Sequence, residues 1–247
     1  MKTWFKRMSI GLILLLVLMT LGLWIWSESS TYPAGELARA SLESSEAVSV
    51  SSKEWIVFEP NSPREPGVIF YPGGLVDPAA YAPILRNLAD AGYLVVITPM
   101  PFNLAIFNTD TAQAVQAAYP DILTWVIAGH SLGGAAASIH AENEAEDLAA
   151  LILWDSFPAN YADLSDNAIS VISIFGTQNQ VPNPDGFNDT RSLLPANTQF
   201  VGIEGANHAQ FGDYGAQDGD IEAQLSQAEQ HEIVTDLVLE FLAKLAE

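Results

Sequence analysis

Ser131 and His208 are the side chains of this sequence whose types and surroundings can support acyl transfer. Ser131 lies in Gly129-His130-Ser131-Leu132-Gly133-Gly134, the Gly-x-Ser-x-Gly pattern in which a strained strand-to-helix turn holds a serine with its hydroxyl exposed. Glycine is needed at 129 and 133 because a side chain there would collide with the strand or helix beside the turn. A serine hydroxyl becomes a strong nucleophile when a neighbouring base takes its proton, and a neutral imidazole does so near neutral pH. His208, within Gly205-Ala206-Asn207-His208 and just after an apolar segment, is the candidate base. His130 fills the variable position of the turn, while His140 and His231 fall on helical stretches with no matching partner. Those three read as structural or solvated.

Positioning such a pair requires a rigid frame, and the apolar runs supply one. Trp125–Ala128 is too short and too sharply ended by Gly129 for a helix, so it reads as a buried strand, with Leu132–Ala141 as the helix that follows. Glu46–Val50 and Glu54–Glu59 read as an antiparallel edge pair that Pro60-Asn61-Ser62-Pro63 ends. Gly67–Tyr71, Tyr93–Thr98, Ala149–Trp154, Ile169–Phe175 and Phe200–Ile203 read as further strands. Between them fall a helix over Tyr81–Ala91, with Tyr81, Ile84, Leu85 and Leu88 on one face, and a short helix over Asp110–Ala118. Leu225–Leu245 forms the last helix. This alternation implies an α/β fold with a mostly parallel sheet covered on both faces. Sites in such sheets lie past the carboxyl ends of the strands, where Ser131, His208, Gly73 and Gly74 all fall. The interval from Trp154 to Ile169 is too short for a lid domain.

On four stretches the sequence resembles the α/β-hydrolase superfamily, and within it the small, lidless members similar to dienelactone hydrolases. These are Gly129–Gly134, Tyr71-Pro72-Gly73-Gly74, Phe175-Gly176-Thr177-Gln178-Asn179 and Gly205-Ala206-Asn207-His208, and the resemblance spans about residues 46 to 245. It implies an α/β-hydrolase fold with Ser131 as nucleophile and His208 as base. It also implies an oxyanion hole made by the N–H of Leu132 with that of Gly74 or Leu75. The family's acid position is occupied by Asn179, which cannot stabilise an imidazolium as an anion does. Asp155, directly after the strand ending at Trp154, stands where some members of the superfamily carry their acid. Two readings therefore stay open, one with Asp155 orienting His208 and one with Asn179 as the only orienter. Asp185 reads as a surface loop residue.

Composition bounds the rest. The chain has 247 residues, 49% hydrophobic content and a net charge of −21, with 30 acidic residues against 9 basic ones. Such a surface repels nucleic acid and anionic headgroups. There is no cysteine, so disulfides, thiolate metal sites and lipid-modified cysteines are excluded. Metal-ligand spacings, phosphate loops and dinucleotide fingerprints are absent as patterns, so no cofactor or metal is expected.

Lys2, Lys6 and Arg7 precede Ser9–Trp26, a run without charge that closes on Trp24 and Trp26. That length spans a hydrocarbon core as one N-terminal transmembrane helix, with the positive residues inside and the tryptophans at the interface. Residues 1–26 are thus expected to be a signal-anchor or signal segment, 27–45 a Ser, Glu and Ala-rich tether with a short helix, and 46–247 the hydrolase-type domain. The functional expectation is a membrane-anchored serine hydrolase acting on a small ester, lactone or similar acyl substrate outside the cytoplasm. The alternatives are a protein secreted after signal cleavage and a catalytically silent envelope binding or scaffold module of the same fold. Full-length protein is expected to fractionate with membranes and to resist salt extraction. Recovery of a shortened soluble form beginning near Ser27 would show that the segment is cleaved instead.

Overall fold

The computed structural model describes residues 2–178 and 189–245, with side chains described from residue 9 onward in the first helix. Asn179 and Asp185 lie outside the described residues. Among those described, eight strands form one sheet in the order β1-β2-β4-β3-β5-β6-β7-β8. They are β1 (Val48–Ser52), β2 (Ile56–Pro60), β3 (Arg64–Tyr71), β4 (Tyr93–Ile97), β5 (Trp125–His130), β6 (Ala150–Trp154), β7 (Ser170–Gly176) and β8 (Gln199–Ile203). β1 and β2 pair antiparallel at one edge, β2 is antiparallel to β4, and the pairings from β4 through β8 are parallel.

The central strands are continuous apolar runs because both faces of the sheet are covered. Alternation divides their side chains between two cores. Phe70 and Trp154 pack with Ile84 and Leu85 of α3 (Ala82–Asp90) and with Val238 and Phe241 of α6 (Gln227–Leu245). Their neighbours Ile69 and Leu153 face the other way, with Val115 of α4 (Thr111–Ala118) and Ala137 and Ala141 of α5 (Leu132–Asn143). The expected helix from Tyr81 is divided: Pro78–Tyr81 is a 3-10 turn and the α-helix begins at Ala82. Pro83 at the first turn suits that start, because its missing N–H would have no partner there.

Strand register is what assembles the site. Tyr71 pairs with Gly129, His130 with Trp154, and Trp154 with Ile174. The residues that follow these strands, Pro72-Gly73, Ser131 and Asp155, therefore emerge at one edge of the sheet.

Residues 31–45 depart from the expected tether. The long helix α1 (Lys2–Ser30) is followed by a strap that bridges Tyr32 to Val76 and carries the short helix α2 (Glu36–Ala40) against the domain. Ala34 and Ala38 are buried. The Asp213 carboxylate accepts from the Ala38 N–H at 2.7 Å, and the Gly35 N–H donates to the Asp213 carbonyl at 2.7 Å. A side chain on residue 35 would collide with the Asp213 carboxylate. The strap is attached by these hydrogen bonds to a distant loop and by Ala34, Ala38, Tyr32 and Leu42 packing on the core. Asp213 also accepts from Gln227 Nε2 at 3.2 Å. At about 1 kcal/mol net per hydrogen bond, Asp213→Ala is expected to loosen the strap while the sheet stays folded. Limited proteolysis should then cut within residues 31–45 faster than in the parent, with an unchanged core fragment.

Candidate active site

Ser131 is held at φ 52°, ψ −123°, in the left-handed region that L residues avoid. Hydrogen bonds to its N–H and to its carbonyl secure it there. Its N–H donates to the Trp154 carbonyl at 3.1 Å, its carbonyl accepts from the Gly134 N–H at 3.0 Å, and Ser156 Oγ donates to the same carbonyl at 2.6 Å. The turn is possible only with bare backbone on either side. A Cβ on Gly129 would stand 2.5 Å from the Gly133 carbonyl carbon, and one on Gly133 would overlap the Tyr71 carbonyl.

Asp155 likewise sits at positive φ, 42°. Its N–H donates to the Ile174 carbonyl at 2.7 Å, and its Oδ1 accepts from the Gly176 N–H at 3.1 Å. Its Oδ2 lies 2.5 Å from His208 Nδ1, with both side chains fully buried. A carboxylate against Nδ1 selects the tautomer with the proton on that nitrogen and leaves Nε2 with an open lone pair. His208 Nε2 is buried and has no hydrogen-bond partner among the described residues. The structure thus joins Asp155 to His208 at the sheet edge where Ser131 emerges, with no hydrogen bond between Ser131 Oγ and His208 Nε2.

His130, expected to be structural or solvated, is fully buried, and its ring lies 4.3 Å from that of His208. Phe211 stacks on it at 5.7 Å. The Tyr81 hydroxyl accepts from the Gly73 N–H at 2.9 Å and lies 2.9 Å from His130 Nδ1. The hydroxyl thus links the Gly73 N–H to the His130 ring. Sequence reasoning placed Tyr81 only on a core helix face, and nothing local to it signals this role.

Of the expected oxyanion donors, the Leu75 N–H is already committed to the Asn103 carbonyl at 2.7 Å, and Leu75 itself stands at φ 55°. The Gly74 N–H has no acceptor among the described residues. A Cβ on Gly74 would come within 2.9 Å of Leu132 Cδ2, so the two backbone segments are close neighbours. Ser131, Leu132, Ala135, Ser156 and Phe157 line a cavity of about 220 Å³. A second hollow of about 500 Å³ lies behind the His208 loop, against Asn207, Gln210 and Asp220. The described residues hold no cluster of side chains able to bind a metal ion.

The sequence model described as the Alpha/beta hydrolase family matches residues 67–232. Among solved structures, Lip1 of Acinetobacter baumannii AYE, named as a lipase, is 14% identical with a TM-score of 0.62, over 85% of this chain and 94% of that one. MGS-MChE2, an alpha/beta hydrolase from the metagenome of Mar Chica lagoon sediments, is 14% identical with a TM-score of 0.56, over 82% and 100%. Est1E of Butyrivibrio proteoclasticus, solved with ferulic acid bound, is 14% identical with a TM-score of 0.55, over 78% and 98%. At such identities these likenesses concern the fold. No curated protein matches the chain.

Burial holds the pKa of His130 well below its usual value, and the neighbouring His208 pushes it in the same direction. Burial also lowers His140 and His231, against the opposing pull of Asp110 and Asp213 respectively. A histidine depressed in the folded state binds its proton more readily when unfolded. Its stabilising effect is therefore complete above the unfolded value of about 6.5 and is lost as pH falls below that toward the folded value. Melting temperature is expected to fall between about pH 7.5 and about pH 5.5, a window in which exposed carboxylates stay ionised. His130→Gln should flatten that slope, and an unchanged slope would show that His130 does not contribute to it.

Proposed function

The chain belongs to the alpha/beta hydrolase family, and on that premise we propose that it is a serine hydrolase of carboxylic esters, lactones or similar small acyl substrates, with its domain outside the cytoplasm. The observation that carries this reading is the buried Asp155–His208 pair, 2.5 Å apart, at the sheet edge where Ser131 is held in its strained turn. Holding Ser131 at positive φ costs of order 1–3 kcal/mol, strain of a kind that clusters at active sites.

In this mechanism Ser131 Oγ attacks the acyl carbon as His208 Nε2 takes its proton. The Oγ–C bond forms, and the carbonyl oxygen becomes an oxyanion held by the Leu132 and Gly74 N–H groups. Asp155 keeps the His208 tautomer and stabilises the imidazolium that results. Collapse breaks the bond to the leaving oxygen, which receives the proton from His208. Water then repeats the sequence on the acyl-serine and releases the acid. Asn179 has no required part in these steps. His130 is a positioning residue: its ring supports that of His208, and its link through Tyr81 to the Gly73 N–H ties the base to the oxyanion turn.

Ser131→Ala and His208→Ala should each abolish turnover of a short-chain aryl ester and labelling by a fluorophosphonate probe. Asp155→Asn is the informative acid variant, since removing the whole side chain would leave the buried His208 Nδ1 and Gly176 N–H without a partner at about 1–3 kcal/mol each. It should lower kcat by roughly 10³ to 10⁴ with little change in KM, while Asn179→Asp changes kcat little. A silent Asp155→Asn beside a strongly activating Asn179→Asp would make Asn179 a disabled acid. Absence of labelling in the parent would favour the non-catalytic binding module.

A further inference from the structure

We propose that the loop of residues 98–109 is a membrane-contacting lip of the active site, and that the acyl substrate is a bilayer-dissolved ester with a long apolar chain. The substrate half rests on the hydrolase reading above, and the lip half on α1 crossing the bilayer. Among the described residues of α1, Ile10, Leu14 and Leu18 are 57%, 57% and 64% exposed. A bare apolar helix of this size is far beyond what a water-facing surface carries, and Ser9–Ser30 is long and apolar enough to cross a membrane.

The same helix is sunk into the domain at its end. Ser27 is fully buried, and its carbonyl accepts from Thr31 Oγ1 at 2.7 Å. Thr31 Oγ1 in turn accepts from Asn103 Nδ2 at 2.8 Å. Trp24 and Trp26, one to two turns earlier, are 52% and 47% exposed, where interfacial tryptophans belong. At about 1.5 Å rise per residue, the bilayer surface then lies within roughly 10 Å of Asn103.

The loop at that height is suited to lipid on one side and to the site on the other. Between Asp90 and Asp110 the sequence holds no charged residue, in a chain of 30 acids whose surface is otherwise repelled by anionic headgroups. Ile106 and Phe107 are 50% and 52% exposed, and Phe102 packs edge-on against Phe107 at 5.7 Å. On the inner side, a Cβ on Gly74 would have Leu104 Cδ2 at 3.5 Å and Leu132 Cδ2 at 2.9 Å. Leu104 and Leu132 thus both flank Gly74, and Leu132 lines the Ser131 cavity. One short loop thus runs from lipid-facing Ile106 and Phe107 to a leucine pair at the oxyanion turn, a path for an acyl chain that need not enter water.

The absence of cysteine makes the test direct. Full-length Phe107→Cys and Leu123→Cys, each carrying an environment-sensitive fluorophore, would be reconstituted in phosphatidylcholine vesicles with and without nitroxide-bearing acyl chains. Leu123 is 82% exposed but precedes β5, at the opposite edge of the sheet. The Phe107 probe should be quenched several-fold more than the Leu123 probe. Equal quenching would overturn the lip, including the case in which a protein partner covers it. In the second arm, the double variant Ile106→Gln/Phe107→Gln should turn over a vesicle-dissolved long-chain ester about tenfold more slowly, the factor expected from losing apolar burial, with its rate on a soluble short-chain ester unchanged. Equal losses on both esters would overturn the substrate assignment. Undiminished turnover in Ser131→Ala would reject the hydrolase reading and with it the substrate, while the quenching result would still decide the lip.

Discussion

Backbone meets backbone at the centre of this structure. The chain leaves β5 at Gly129, turns at Ser131 and enters α5 through Gly133, which lies against the carbonyls of Tyr71 and Pro72. No side chain of any size fits at either glycine, so the close crossing of β3, β5 and α5 is a constraint that the rest of the site inherits. It fixes where the Leu132 and Gly74 N–H groups stand relative to each other. It also makes the strained Ser131 affordable, because the strand register that feeds the turn is held by fully buried residues on both sides of the sheet.

The second organising element is electrostatic. Asp155 and His208 are both removed from water, and neither would be tolerated there alone. Together with the Gly176 N–H they form a hydrogen-bonded unit in which His208 Nε2 has no partner among the described residues. His130 extends this unit without adding charge, since burial disfavours its protonated form, and Tyr81 holds its Nδ1.

Local signals in the sequence carried the frame. Alternating apolar runs and the Gly-His-Ser-Leu-Gly-Gly turn are short-range patterns, and the α/β-hydrolase fold follows from them. Asp155 was legible only as a residue past a strand end. Its approach to His208, 53 residues away, depends on the pairing of β5, β6 and β7. Tyr81 reads as an apolar face residue because its hydroxyl finds Gly73 and His130 only after α3 docks. Residues 31–45 read as a spacer because their composition is polar and their small buried residues, Ala34 and Ala38, leave no periodic trace. The group that holds them, Asp213, is 175 residues away from Ala38. Leu75 looked like an available donor for the same reason, since no sequence pattern reveals that Asn103 takes its N–H.

The wiring around Leu75 has a mechanical consequence. Its carbonyl accepts from the Tyr32 N–H at 2.8 Å, its N–H reaches the Asn103 carbonyl, and Asn103 in turn grips Thr31 at the foot of α1. The first helix and the turn beside Ser131 are therefore joined by these three hydrogen bonds. The candidate site thus shares its Gly74–Leu75 turn with the foot of the first helix, so a displacement of that helix would bear on the turn directly.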